Sequence, residues 1–164
     1  MALDIRYIIG NTDTYFRRDE LNVLLFYAKN INFNLGAKLY FLLEKETVFR
    51  LNNHISIGNL NSFDDMPAHF DISHIQESIQ FITNQIIPSL QNESLSMWKK
   101  YGGFDSLKIE VNNGNRNNWT SNLSVDHEYV PEDIDYYIDM AVEIKELLQE
   151  SLNQNTPIMV VYED

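Results

Sequence analysis

The chain has 164 residues, of which 24 are acidic and 12 are basic, and its formal net charge is −12. This length suits one domain, residues 1–164, and the absence of cysteine excludes a disulfide framework, a thiolate metal site and a cysteine nucleophile. The N-terminus lacks the basic start and apolar stretch of a signal peptide, and no run of about 18 apolar residues occurs, so we expect a cytoplasmic protein that does not enter a membrane.

The first 60 residues predict mainly antiparallel sheet. Asp4–Ile9 has the composition of a short strand, and residues 10–13 form a turn sequence after it. In residues 29–35, apolar side chains alternate with asparagine, which is the period of a half-buried strand. Further strands are predicted at residues 39–43, 47–51 and 55–59, whereas residues 21–28 fit either a helix or a strand.

The rest of the chain predicts two main helical regions. Isoleucines from Ile72 to Ile86 mark one face of a helix that Pro88 ends or kinks. The second region starts with Pro131 as its first residue and runs to about Leu152. Between and after them the sequence predicts a shorter helix at residues 93–101, a strand at 107–111, an asparagine-rich loop at 112–122 and a final strand at 157–162. The expected fold is therefore α+β, a mainly antiparallel sheet packed against two main helical regions.

The last predicted helix carries a row of acidic side chains. At about 100° per residue they fall in a narrow arc opposite the apolar face. The row consists of Glu132, Asp135, Asp139, Glu143, Glu146 and Glu150. A solvated helix face is the ordinary interpretation, but such faces mix lysine with glutamate, whereas here the residues four apart repel each other. Folding alone does not require this acidic row, whereas binding of a cationic partner would require it. Both interpretations therefore stay open.

The acidic charge is concentrated near the C-terminus. Residues 126–164 carry eleven acidic groups and one basic group, Lys145, whereas residues 1–60 carry six acidic and seven basic groups. Such a field repels nucleic acid and anionic lipid and attracts cationic proteins. We therefore expect a basic protein partner, no nucleic acid and no membrane. Tyr136 and Trp119 are predicted as aromatic anchors beside the acidic row, since interfaces favour such residues.

The strongest catalytic candidate is the segment from His69 to His74. His69, Asp71 and His74 offer two imidazoles and a carboxylate, which zinc and non-haem iron accept as ligands. Their spacing matches no specific motif, and Asp71 is explained as a helix cap. Phosphate-binding loops, dinucleotide fingerprints and nucleophile elbows are absent from the sequence. We expect no catalytic residue, metal or cofactor, and keep a small metal-dependent enzyme and a regulatory protein-binding subunit as alternatives.

Two glycine turns and the order of the predicted elements carry a family resemblance. Ile8-Ile9-Gly10-Asn11-Thr12-Asp13 follows the first strand, and Ile57-Gly58-Asn59 forms a later turn before a helix. With the order sheet, helix, acidic helix, the chain resembles bacterial polymorphic-toxin immunity proteins of the contact-dependent growth-inhibition type. The resemblance implies a small cytosolic protein that binds and blocks one cognate toxin domain. It assigns no catalytic residue. Charge complementarity with the acidic surface leads us to expect a basic toxin domain, a nuclease.

Overall fold

The computed structural model of the chain describes residues 4–44, 47–50, 68–113, 118–126 and 130–163, with the backbone alone at 47–50 and 68–71. Within these ranges the strands are β1 (Asp4–Ile9), β2 (Thr12–Arg17), β3 (Thr47–Arg50), β4 (Ala68–Asp71) and β5 (Met159–Glu163). The helices are α1 (Arg18–Ile31), α2 (Phe33–Glu44), α3 (Ile72–Phe81), α4 (Ile87–Gln91), α5 (Met97–Lys100), α6 (Phe104–Asn112) and α7 (Ile134–Gln154). A π-helical segment, Ile82–Ile86, joins α3 to α4, and Trp119–Asn122 is a 3₁₀ turn. The protein is therefore α+β, as the sequence predicts.

The main sheet is antiparallel and has β1 at its centre, in the order β2-β1-β5. A two-residue loop joins β1 to β2, and Gly10 in this loop has a φ of 58°, which glycine adopts without strain. The first and last predicted strands are confirmed, whereas β2 lies where the sequence predicted only a turn. The predicted strand at 47–51 corresponds to β3, which forms a separate parallel pair with β4.

Residues 18–44 form a hairpin of α1 and α2, where the sequence predicted strands at 29–35 and 39–43. The alternation in 29–35 falls across the join between the helices. There Asn32 is extended, and its Oδ1 accepts a hydrogen bond from the N–H of Leu35 at 2.9 Å. An asparagine in this position satisfies a free N–H of the first turn and so starts α2. Both strand predictions are wrong, because the buried apolar run at 39–43 fits a core helix as well as a strand.

Helix α6 replaces the strand predicted at 107–111. Leu107 and Val111 are buried, whereas Ile109 between them is 59% exposed. Residues two apart share a face of a strand but point in opposite directions on a helix, so only the outer two reach the core. The predicted helix at 93–101 is shorter than expected, since only α5 forms there. The predicted strand at 55–59 lies outside the described residues.

The helix predicted from Ile72 is confirmed and continues past Pro88. Helices α3 and α4 follow each other through the π-helical segment, which ends immediately before α4. Proline lacks an N–H and its ring crowds the preceding turn, so a widened turn at this point accommodates it. The helix therefore runs to Gln91 rather than ending at the proline.

Helix α7 lies against α3, α4 and β1 and forms the centre of the core. It starts at Ile134 rather than at Pro131, because the Oδ1 of Asp133 accepts a hydrogen bond from the N–H of Asp135 at 2.9 Å and caps the helix there. Tyr137, Ala141, Ile144 and Leu148 on its apolar face are buried. Among the described helices, none is long and apolar enough to cross a membrane.

Candidate functional site

A groove runs between the edge strand β2 and α7. Its two sections have volumes of about 510 and about 850 Å³. The first section lies beside the end of β2 and the first half of α7, and is lined by Asp4, Tyr15, Phe16, Arg17, Glu20, Pro131, Tyr136, Asp139, Met140 and Glu143. The second is lined by Ile9, Thr12, Asp13, Thr14, Tyr15, Glu143, Glu146, Leu147 and Glu150. Later residues of α7 thus lie beside earlier residues of β2. The strand and the helix therefore run in opposite directions along one groove.

Short side chains on β2 open this groove. Thr12, Thr14 and Phe16 pair with Ile9, Tyr7 and Ile5 of β1, so these three residues of β2 share the face that β1 buries. Phe16 is buried, whereas Thr14 is half-buried and Thr12 is exposed. A threonine cannot span the distance that a phenylalanine fills. The core is therefore closed at the end of β2 and open toward its beginning.

The groove collects most of the predicted acidic row. Asp139, Glu143 and Glu146 are exposed, Glu150 is half-buried, and all four line it. Among the described residues, none of these four carboxylates takes part in a salt bridge. Glu150 accepts a hydrogen bond from the side-chain amide of Gln154 at 2.6 Å, so Asp139, Glu143 and Glu146 are the carboxylates most available to a partner.

Two further acidic groups of the groove, Asp13 and Glu20, are held by the fold. Asp13 pairs with Arg6 at 3.0 Å, and Arg6 also reaches Glu163 at 3.4 Å. Glu20 is 7% exposed and accepts a hydrogen bond from the hydroxyl of Tyr136. Arg17 is the one basic residue in the described lining. The electrostatic character of the groove is therefore anionic.

Two exposed tyrosines border the groove: Tyr136 lies on its α7 side, whereas the ring of Tyr15 lies on the face of β2 opposite to Thr14. Tyr136 is 39% exposed, in agreement with the expected exposure, and burial of its hydroxyl next to Glu20 raises the pKa of the tyrosine. Tyr15 is 49% exposed and has the guanidinium of Arg6 over its ring, 5.7 Å from the ring centroid. Tyr15 was not predicted as a site residue, because its strand was not predicted and a lone tyrosine carries no motif. The alternation of Thr12, Thr14 and Phe16 was the available signal.

Three predicted site residues lie outside the groove. Glu132 precedes α7 and accepts a hydrogen bond from the hydroxyl of Ser96 at 2.8 Å, and Asp135 is exposed without lining either section. Trp119 is 1% exposed and packs against Phe33 and Tyr40 in the core, with ring centroids 5.8 and 5.3 Å away. Its place is therefore among core aromatic residues and not on the acidic surface, which corrects the prediction.

The candidate metal ligands are only partly described. His74 lies in α3 and is 2% exposed, so it faces the core. Asp71 directly precedes α3, where a cap is expected, but its side chain and that of His69 lie outside the described residues. Within the described part of the chain, no group of three or more histidine, cysteine, aspartate or glutamate side chains could hold a metal ion.

A buried ion pair lies away from the groove. Glu44 ends α2 and is 3% exposed, and its Oε1 accepts a hydrogen bond from the Nε of Arg18 at 3.2 Å. Its Oε2 is buried without a hydrogen-bond partner among the described residues. Burial raises the pKa of Glu44 to about 7, and the charge of Arg18 only partly opposes this rise. The hydroxyl of Tyr162 donates to the backbone oxygen of Glu44, so this residue also ties α2 to β5.

Comparisons of the chain with models of protein families, with curated proteins and with solved structures found no match.

Proposed function

We propose that the protein binds a basic protein domain in the groove between β2 and α7. The observation that carries this proposal is that Asp139, Glu143 and Glu146, which form no salt bridge among the described residues, line one groove with Glu150, beside the exposed ring of Tyr136. A groove with carboxylates at its wall and an aromatic ring at its rim suits a cationic protein surface.

The energetics of α7 support this proposal. Asp139 and Glu143 repel each other, as do Glu146 and Glu150, and each like-charge pair four residues apart costs a helix about 0.2–0.5 kcal/mol. Glu150 also lies near the C-terminal end of the helix, which favours positive charge. Cationic side chains of a partner would relieve these repulsions on binding. Repulsion between these carboxylates therefore lowers the stability of the free protein, and a bound basic partner would remove this repulsion.

We further propose that the partner is a bacterial toxin domain and that binding neutralises it in the cytoplasm. The family resemblance of the sequence supports the toxin, and the acidic groove supports a nuclease among toxins. Enzymes that act on nucleic acid present basic surfaces to the phosphate backbone. A protein that covers such a surface needs an acidic one of its own.

The test begins with the gene beside the one that encodes this chain: if that gene encodes a toxin domain, protection of cells that express this neighbouring toxin domain is measured. Wild-type protein and an Asp139→Lys, Glu143→Lys double variant are compared for growth and for recovery of a complex. An Asp105→Lys, Glu110→Lys variant is the matched control, because these exposed residues lie on α6 and the change in net charge is the same. We expect loss of protection in the groove variant alone. Full protection by the groove variant would contradict the proposal, as would equal loss in both variants.

A further inference from the structure

The β2 edge of the main sheet borders the acidic groove. Strand β2 pairs with β1 on one side, and nothing within the described residues pairs with its other side. Ile9 and Thr12 flank the two-residue loop, so alternate residues of β2 exchange hydrogen bonds with β1. The N–H and C=O groups of the residues between them, including Asp13 and Tyr15, are directed outward. An edge of this kind accepts a further strand.

A strand added to this edge would lie over the groove. Neighbouring strands are about 4.8 Å apart, and every second side chain of the added strand would point to the same side as Thr12 and Thr14, toward α7. Those side chains repeat every 6.6–6.8 Å or so along a strand, and residues four apart on a helix repeat about every 6 Å. Because β2 and α7 run along each other, successive inward side chains would meet successive acidic residues such as Asp139 and Glu143.

We propose that the basic partner binds by adding an extended segment to the free edge of β2, with lysine or arginine at alternate positions facing the acidic side of α7. This inference rests on the proposed function and specifies how the partner is held. Backbone hydrogen bonds to β2 provide register, and ion pairs with α7 provide selectivity for a basic segment. A second copy of this chain fits the edge poorly, because two acidic grooves would face each other.

The probe is a blocked, fluorescently labelled nonapeptide that alternates lysine with threonine or valine. Its control has the same sequence with N-methyl groups on the threonine and valine residues. Directly opposed residues of an antiparallel pair share a face, so the residues that hydrogen-bond to Asp13 and Tyr15 are those whose side chains point away from α7. Methylation therefore removes the donors to β2 and leaves the charge unchanged. We expect the methylated peptide to bind at least tenfold more weakly in fluorescence anisotropy.

A pair of protein variants tests the same edge by changing β2 instead of the peptide. Tyr15→Pro removes an outward N–H, which an edge strand tolerates, whereas Tyr15→Ala removes the side chain and keeps the N–H. We expect Tyr15→Pro to weaken binding at least tenfold relative to Tyr15→Ala, with circular dichroism spectra alike. If Tyr15→Pro does not fold, the methylated peptide on wild-type protein decides the question alone.

The outcomes separate the two proposals. Equal binding of both peptides, with loss of binding in the Asp139→Lys, Glu143→Lys variant, overturns strand addition and leaves the acidic groove as the binding surface. Failure of the unmethylated peptide to bind wild-type protein also overturns strand addition. If wild-type protein sediments as a dimer and the Tyr15→Pro variant as a monomer, the β2 edge binds a second copy of this chain. That result also overturns strand addition by a basic partner. If the neighbouring toxin domain itself does not bind, the proposed function fails.

Discussion

The hydroxyl of Tyr136 on the last helix donates a hydrogen bond to the Oε2 of Glu20 on the first helix, across 116 positions of sequence. Glu20 is almost fully buried, so this carboxylate depends on a donor from the protein rather than from water. The contact connects the wall of the groove that α7 forms to the helix that follows β2. Both residues line the groove together with Asp139, so this hydrogen bond lies within the groove lining.

Tyr136→Phe is expected to lower the free energy of unfolding by about 1–2 kcal/mol, because it leaves a buried acceptor without its donor. Tyr15→Phe is the control, since the Tyr15 ring is 49% exposed and its hydroxyl makes no hydrogen bond within the described residues. Urea unfolding of both variants measures the difference. Equal stability of the two variants would show that the hydrogen bond to Glu20 contributes nothing.

Asp139→Lys is expected to stabilise the isolated protein. It converts two like-charge contacts, with Asp135 and Glu143, into opposite-charge contacts, each worth a few tenths of a kcal/mol. The gain should therefore be up to about 1 kcal/mol, measured as a raised midpoint of thermal unfolding. Glu110→Lys has no acidic neighbour four residues away and removes an attraction to Lys29, so its midpoint should not rise. A lowered midpoint for Asp139→Lys alone would mean that this carboxylate supports the fold.

The rate of association with the basic partner is expected to fall as ionic strength rises. Charges at the rim of an interface act mainly on association, and salt screens them over about 10 Å at 0.1 M and about 3 Å at 1 M. Stopped-flow fluorescence across this salt range measures the rate. A rate that stays constant would indicate that the acidic residues of α7 only solvate the surface.

Glu44 is expected to make stability depend on pH. Burial raises its pKa to about 7 from an ordinary value of 4.5, so the folded protein holds a proton that the unfolded chain has released. The contribution of this group is fully present below about pH 4.5 and is lost as the pH rises through about 7, on the order of 3 kcal/mol at most.

Glu44→Gln keeps the shape of the side chain and cannot lose a proton. Its free energy of unfolding should therefore exceed that of wild-type protein increasingly from pH 4.5 to pH 7, when both are unfolded with urea across this range. The other carboxylates titrate in both proteins, so their contributions cancel in the difference between the two free energies of unfolding. A constant difference between the two proteins would contradict the raised pKa of Glu44.

Trp119→Ala is expected to cost about 3–5 kcal/mol, because it removes a fully buried ring from between Phe33 and Tyr40. Trp119→Phe should cost clearly less, since it keeps an aromatic ring and removes an indole N–H that is buried without a hydrogen-bond partner among the described residues. Denaturant unfolding measures both. A loss of partner binding without a loss of stability would return Trp119 to the binding surface.

The α+β class, the first and last strands and the two main helical regions could be predicted from sequence, because their signals are local. Ile72 to Ile86 recur at helical spacing, and Asp4–Ile9 is short and ends at a glycine turn. The strand predictions at 29–35, 39–43 and 107–111 were wrong because their patterns are short. The alternation at 29–35 spans the join between α1 and α2. The apolar patterns at 39–43 and 107–111 fit a helix as well as a strand, and burial in the core decides between them.

The acidic row was predictable as one side of a helix, since helical geometry alone places Asp139, Glu143, Glu146 and Glu150 together. Which of the six acidic residues line a groove depended on the position of α7 against β2, and that position is set by packing between residues more than 100 apart in the chain. The burial of Trp119 and the exposure of Tyr15 were decided in the same way. Sequence determined the charge and its helical face, while tertiary packing decided what that face borders, because long-range contacts leave no periodic signal along the chain.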